Sequence, residues 1–280
     1  MMHSGFVTLV GRPNVGKSTL VNAMCGEKVS IVSDKPQTTR HRVMGVLTTD
    51  SSQIVFVDTP GLHKPVTALG ERVNATALDS LHDVDVVCLV IDATKPFGTG
   101  DQWVASHIDM SKAIVVLNKI DAVKSGQVVA QLTAASMLGA AEYFPVSART
   151  GKGIAELVAF LSKNLPEGPQ YFPADTVRDV PEEQWVAELV REQLLAVTRD
   201  ELPYSIATRV SEWEWPHIKV EILVERDSQK GMVIGKGGAV LKEVGTRVRA
   251  QLPEGVFIEL FVKVDKDWQR RPDRVERLGY

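Results

Sequence analysis

The residues of this chain best suited to chemistry begin in GRPNVGKS, residues 11–18. Gly11, Gly16, Lys17 and Ser18 fit the pattern G-x-x-x-x-G-K-[S/T], with Arg12, Pro13, Asn14 and Val15 between them and Thr19 following. Glycines so spaced let backbone N–H groups turn inward on phosphate oxygens, and a helix opening there adds its positive end. Lys17 brings charge to β- and γ-phosphates, and the Ser18 hydroxyl can ligate Mg²⁺. An accidental glycine turn is the alternative. The flanks argue against it, because the apolar run FVTLV (6–10) leads in and KSTLVNAMCG (17–26) has a helical pattern ending at Gly26.

A phosphate loop does not name the base. Asn118, Lys119, Ile120 and Asp121 close the apolar run AIVVL, and a carboxylate there can accept from guanine N1–H and its N2 amine, a pair adenine does not offer. Asn118 and Lys119 can brace the loop and cover the ring. Ser147, Ala148 and Arg149 end the next strand-like run, where the Ala148 N–H could meet guanine O6. Between these motifs, Asp58, Thr59, Pro60 and Gly61 end QIVFVD: Asp58 can reach Mg²⁺ through water, and the Gly61 N–H can sense a γ-phosphate. PQTTRH (36–41) offers Thr38 and Thr39 as a second hydroxyl for the metal. Leu62 follows, and a leucine can neither accept a proton nor hold a water. His63 beside it reads as a solvated histidine rather than a general base.

A second glycine loop, VIGKGGAVL (233–241), carries Lys236 between Gly235 and Gly237 but no Ser or Thr after it, so it is not a second triphosphate loop. Ile234, Gly235, Lys236, Gly237 and Gly238 instead join two helical pieces, and two glycines two residues apart let a backbone lie flat against a run of phosphodiesters. Residues 226–249 hold six basic side chains, Lys242 and Arg247 among them, against Asp227 and Glu243, while residues 176–280 carry seventeen basic and nineteen acidic residues. The second half is therefore polarised rather than basic. Trp213 and Trp215 alternate with acids and read as core or hairpin packing, and Val233 as core.

These residues need a scaffold. RVMGVLTT (42–49) and QIVFVD (53–58) form a hairpin about DSS; VDVVCLVID (84–92), AIVVLNK (113–119) and YFPVSA (143–148) are β-branched runs of buried parallel strands; and GIAELVAFLSKNL is a helix. Strands alternating with helices predict a doubly wound α/β domain. Four prolines in 165–181 mark a linker. Beyond it a helix over 182–200, two strands flanking Pro216, the glycine loop with its second helix, and a strand over 256–264 make a small α+β domain. At 280 residues and a net charge of −3, two domains fit, and a polycation does not. Cys25 and Cys88 are too few for a disulfide framework and read as buried thiols in a reducing cytoplasm. No apolar run approaches the ~18 residues of a membrane helix, which leaves surface association with a membrane open.

In order and spacing, GRPNVGKSTL, PQTTRHRVMG, DTPGLH, NKID and SAR resemble the guanine-nucleotide domain of the translation-factor-related GTPases, the Era family in particular. Residues 178–265 are similar to a type II KH domain. The resemblance implies a P-loop GTPase doubly wound sheet over 1–166, a linker over 167–178 and a KH-type RNA-binding domain with its tail over 179–280. It implies Mg-dependent hydrolysis of GTP to GDP with slow intrinsic turnover, switch loops around Thr39 and 58–62, and metal ligands Ser18, Thr39 and Asp58. Lys17, Asn14, Thr39 and Gly61 would serve catalysis, with Asn14 helping to hold K⁺ in place of an arginine finger. The implied partners are small-subunit ribosomal RNA near its 3′ end and the small ribosomal subunit, for a cytoplasmic monomer that can also sit at the inner face of the membrane. A GTP-regulated adaptor whose KH-like domain binds protein is the other reading.

Overall fold

The computed structural model describes residues 2–63, 65–82, 84–198 and 202–280. Two compact units are distinguished: one holds the chain up to Val32, Thr39–Pro65 and Arg72–Asp179, and the other holds Ser33–Thr38, Val66–Glu71 and Val180–Tyr280.

In the first unit, β1 (His3–Val10) feeds the glycine loop and α1 (Lys17–Cys25); β2 (Val43–Thr48) and β3 (Ser52–Asp58) pair antiparallel as the expected hairpin. Next come α2 (Ala68–Asp79), which begins among the residues grouped with the second unit, then β4 (Val86–Asp92), α3 (Thr99–Ala105), β5 (Ile114–Asn118), α4 (Ser125–Ser136), β6 (Glu142–Pro145), α5 (Ile154–Asn164) and β7 (Arg178–Asp179). The sheet order is β6-β5-β4-β1-β3-β2-β7, parallel from β6 through β3. All seven residues of β3 are buried, as a strand covered on both faces requires. One apolar core packs Leu20, Val21 and Met24 of α1 with Leu157 and Leu161 of α5, and the other packs Ala77, Val104 and Ala135 from α2, α3 and α4. That is the doubly wound arrangement the alternating runs predict. The chain turns from β1 to β3 on one side and to β4 on the other, so the crevice beyond the strands' carboxyl ends opens at β1.

The proline-rich run is not a free tether. Gln53 Nε2 donates to Phe172 O at 2.8 Å, Gln53 Oε1 accepts from the N–H groups of Tyr171 (2.7 Å) and Phe172 (3.0 Å), and Ser4 Oγ donates to Pro169 O at 2.7 Å. Backbone polar groups that make no strand still need partners, and side chains of β1 and β3 supply them. β7 then pairs with β2. Cys88 is buried, but Cys25 is only half-buried, because α1 ends there at the surface.

In the second unit, α6 (Glu182–Val197) and α7 (Leu202–Ser205) precede the antiparallel pair β8 (Ala207–Glu214) and β9 (His217–Val224); then come α8 (Asp227–Ile234), α9 (Ala239–Arg249), β10 (Phe257–Val264) and α10 (Pro272–Arg277). The expected helix over 182–200 ends in residues 199 and 200, which lie outside the described residues. The sheet runs β10-β9-β8, with β10 parallel to β9. Thr208 and Ile222 face α6, with Thr208 Oγ1 donating to Ala187 O at 2.8 Å. Val233 is core as read, whereas Trp215 is 58% exposed and tilts against Trp213 at 6.1 Å, which is hairpin packing and not core. Arg191 of α6 is wholly buried, paired with Glu188 at 2.5–2.8 Å and donating to the backbone oxygen of Thr38.

Candidate nucleotide site and second glycine loop

The carboxyl ends of the five parallel strands carry the first site. Gly16 has φ +95°, and a Cβ there would sit 2.4 Å from Asn118 Nδ2, so no side chain fits. Asn118 uses that space: Nδ2 donates to Val15 O at 3.0 Å, and Oδ1 accepts from the N–H groups of Lys119 (2.8 Å) and Ala148 (3.0 Å). Lys119 Nζ donates to Asn14 O and to Asp92, both at 2.6 Å, while β4 and β5 place Asp92 beside Asn118 in register. Burial pushes the Asp92 carboxyl up, but the Lys119 and Thr94 hydrogen bonds outweigh it and hold it below its usual range. The phosphate loop and the base loop are thus tied into one body.

Lys17 is buried, and its Nζ donates to Gly11 O (3.2 Å) and Arg12 O (3.3 Å) across the loop mouth. Burial lowers its pKa to about 8, against the opposing pull of Asp58. The same burial pushes Asp58 up, opposed by Lys17 and by the hydroxyls of Ser30, Ser18 and Thr39. Ser18 Oγ and Thr39 Oγ1 lie 2.8 Å apart, and Thr39 Oγ1 is 3.4 Å from Asp58 Oδ2. Thr38 turns away, donating to Lys35 O at 2.7 Å, and Thr39 is the threonine whose hydroxyl lies beside Ser18 and Asp58. Asp58 Oδ1 is buried with no hydrogen-bond partner. One carboxylate with an orphaned oxygen beside two hydroxyls is an all-oxygen donor set of the kind Mg²⁺ takes together with phosphate oxygens.

At the base end, Asp121 Oδ1 accepts from Ser147 Oγ at 2.7 Å and Oδ2 pairs with Arg149 at 2.6 Å. The Ser147 hydroxyl first, and then the Arg149 charge, hold this carboxyl below its usual range, so it is an acceptor at neutral pH. Each oxygen keeps a second lone pair for a ring N–H. The Ala148 N–H, assigned to guanine O6 on sequence, is instead taken by Asn118.

Leu62 is a core residue, not a nucleotide contact of the side chain: it is 1% exposed among Val10, Leu89 and Ile91, and its N–H donates to Gly11 O at 3.2 Å. Thr59 is likewise buried, its hydroxyl on Leu9 O at 2.6 Å. His63 is half-buried and held by Asn74 and Gly61 O, so it is not the solvated histidine expected. Gly61 sits where a Cβ would meet Pro13 at 2.7 Å, bringing its backbone against the phosphate loop.

Ser30, Asn22 and Asp101 carry no sequence signal of their roles here. Ser30 Oγ donates to Asp58 Oδ2 at 2.7 Å and is itself placed by Asn22, whose Oδ1 accepts the Val29 and Ser30 N–H groups at 2.9 Å. Asp101 pairs with Arg12 at 2.8 Å. Asp92 carried a signal, since it ends an apolar run beside the one ending in Asn118.

In the second unit, α8 ends at Gly235 (φ +72°), Gly237 and Gly238 also have left-handed φ, and α9 begins at Ala239. A Cβ at Gly235 would lie 2.5 Å from Val240 Cγ2, whereas Gly237 faces open space. Lys236 and Lys242 are exposed, Ile234 is half-buried, and Arg247 pairs with Glu243 at 2.5 Å. No described helix is long and apolar enough to cross a membrane.

Comparison with known proteins agrees with both loops. Residues 6–119 match a family described as 50S ribosome-binding GTPase, and residues 201–269 match the KH domain. The chain is 47% identical to proteins named GTPase Era from Mycobacterium bovis and Mycobacterium tuberculosis, with 99% of both chains covered. Two solved structures, each 40% identical and covering 100% of this chain and 99% of their own, superpose closely: Aquifex aeolicus Era, as a variant bound to GDP·AlF4⁻ (TM-score 0.94), and Era with MgGDPNP and nucleotides 1506–1542 of 16S ribosomal RNA (TM-score 0.95).

Proposed function

This chain belongs to the Era family of GTPases, and from that premise we propose that its nucleotide site couples GTP hydrolysis to capture of small-subunit ribosomal RNA during assembly of that subunit. The observation that carries the catalytic part is the orphaned Asp58 oxygen beside the Ser18–Thr39 hydroxyl pair, under a loop closed by buried Lys17. Ser18 and Thr39 would hold Mg²⁺ directly and Asp58 through water; when bound, the ion neutralises charge on the phosphate oxygens. Lys17 opposes the charge that builds as the γ-phosphoryl departs, and the Gly61 N–H aims at its oxygens. Asp121, held ionised by Ser147 and Arg149, selects guanine. The products are GDP and phosphate.

Leu62 lies in the core and cannot orient the attacking water, so that role falls to backbone near Gly61 and to a monovalent cation at Asn14. Asn14 has φ +65°, and its carbonyl is fixed by Lys119, an arrangement that supports a rigid oxygen-lined turn. Hydrolysis faster in K⁺ than in Na⁺, with the difference lost in Asn14→Ala, supports this role; equal rates in both proteins refute it.

Gly235–Gly238, with Lys236 and Lys242, would clamp about four nucleotides of single-stranded RNA. The Era complex with nucleotides 1506–1542 of 16S ribosomal RNA favours RNA near the small-subunit 3′ end as the ligand. Filter binding tests it: affinity should fall with salt and in Gly237→Asp, and RNA binding indifferent to both would leave the KH-like unit as a protein adaptor.

A further inference from the structure

The second unit has another concave surface, on the sheet face turned away from α6 and α9. Along β8 and β9, Thr208 and Ile222 face α6, so Arg209, Glu221 and Leu223 face the other way. On β10, a Cβ at Gly245 of α9 would touch Leu260 at 3.8 Å, so Phe261 and Lys263 also face away. At the end of this face where α10 folds over lies a cavity of about 360 Å³, lined by the cations of Arg209, Lys263, Arg274 and Arg277, by Asp265, and by apolar side chains that include Leu223.

We propose that this cavity is a second phosphate site, which takes a backbone phosphodiester of RNA that continues beyond the stretch held at Gly235–Gly238. Four cations converge there although residues 176–280 carry two more acidic than basic side chains. Two of the cations are fixed by one buried carboxylate: Glu221, its side chain 6% exposed, pairs with Arg209 at 2.5 Å and Lys263 at 3.5 Å. Arg274 is steadied by Asp265 at 3.6 Å and by Asp273, which lies 3.7 Å from its buried Nε, a nitrogen that makes no hydrogen bond. The Arg277 side chain makes no ion pair among the described residues. Glu221, Asp265 and Asp273 together offset three of the four charges, so a net of one positive charge faces the cavity. Cations held in place before binding lose little side-chain freedom on meeting a phosphate, and an apolar wall strengthens the attraction. A glycine clamp accounts for about four nucleotides; a site on the opposite sheet face needs a different phosphate, which only longer RNA supplies.

The inference rests on the RNA-binding reading above, and the test separates the two. Lys263→Gln with Arg277→Gln leaves Arg209 on Glu221 and Arg274 on Asp265. Binding would be measured from 50 to 200 mM KCl with two probes, a four-nucleotide RNA and the 16S fragment 1506–1542. The double variant should bind the long RNA ~10-fold more weakly with a salt slope shallower by ~1 to 2, and the short RNA and GTP hydrolysis without RNA should not change. Long-RNA affinity and slope equal to wild type would overturn the proposal, as would equal weakening of both probes, which would be a diffuse charge effect. Loss of binding to phosphatidylglycerol vesicles with RNA binding intact would reassign the cavity to lipid phosphate and overturn it too. If the wild-type protein binds neither RNA, the RNA-binding reading itself falls and this proposal with it; loss of both probes in Gly237→Asp alone keeps that reading.

Discussion

Lys17 gives the phosphate loop a pH signature. Its ammonium is buried against two carbonyl oxygens, and desolvation lowers its pKa to about 8 from 10.5. A phosphate seated in the loop favours the charged form and returns the pKa towards its ordinary range. Nucleotide binding must then take up a proton wherever the free protein has lost one: about 0.1 proton at pH 7, about 0.5 at pH 8 and about 0.9 at pH 9. Affinity for MgGDP should fall towards tenfold per pH unit above pH 8, levelling off near the bound-state pKa. Asp58 works with the opposite sign. Its carboxyl is pushed up by burial, so a proton displaced there by a metal would be released, and such release can only shrink as pH rises. Asp58 can only release protons, so a net uptake above zero at pH 9 belongs to Lys17. Calorimetric titration of MgGDP in buffers of differing ionisation enthalpy reads the proton count at each pH. Uptake that stays near zero at pH 9 would refute the claim that burial discharges Lys17.

Three further outcomes follow from the packing. Leu62→Gln, which introduces the side chain that orients water in other GTPases, should cost ~2 kcal/mol of stability because the position is 1% exposed, and should not raise GTP hydrolysis; denaturant melts and turnover check both, and a faster enzyme would contradict the core assignment. Glu188→Ala removes the ion pair of the wholly buried Arg191 guanidinium and leaves it only the Thr38 backbone oxygen and the nearby Glu192 charge; it should destabilise by ~3 kcal/mol in urea melts, whereas replacing a surface pair would change nothing measurable. Gly16→Ala should abolish GDP binding without unfolding the protein, because the added Cβ meets Asn118 Nδ2 and breaks its tie to Val15; nucleotide affinity within twofold of wild type would show that the tie is dispensable.

The phosphate loop, DTPG, NKID and the second glycine loop were legible in the sequence because their chemistry depends on local spacing, and a glycine with left-handed φ leaves its trace at one position. It could not assign Ala148, since its N–H partner Asn118 lies on another strand. Ser30 in its loop and Asp101 in the first turn of α3 are ordinary polar residues until the fold brings them to Asp58 and Arg12. β7 is two residues long and exists only because β2 offers an edge, so no periodicity could reveal it. Leu62 read as part of the nucleotide loop because its neighbours do; its burial is decided by Val10, Leu89 and Ile91, which arrive from β1 and β4. The doubly wound core, by contrast, was written in the β-branched runs, whose two-sided burial needs no long-range information to recognise.

The central claim, a guanine-specific GTPase site with Asp121 as the reader of the base, is tested most directly by Asp121→Asn. An amide in that position presents a donor where guanine N2 needs an acceptor and where xanthine O2 needs a donor. Measured side by side, the variant should lose GTP hydrolysis and affinity while gaining them for xanthosine triphosphate. A variant that still prefers GTP to the same degree as wild type would contradict the account.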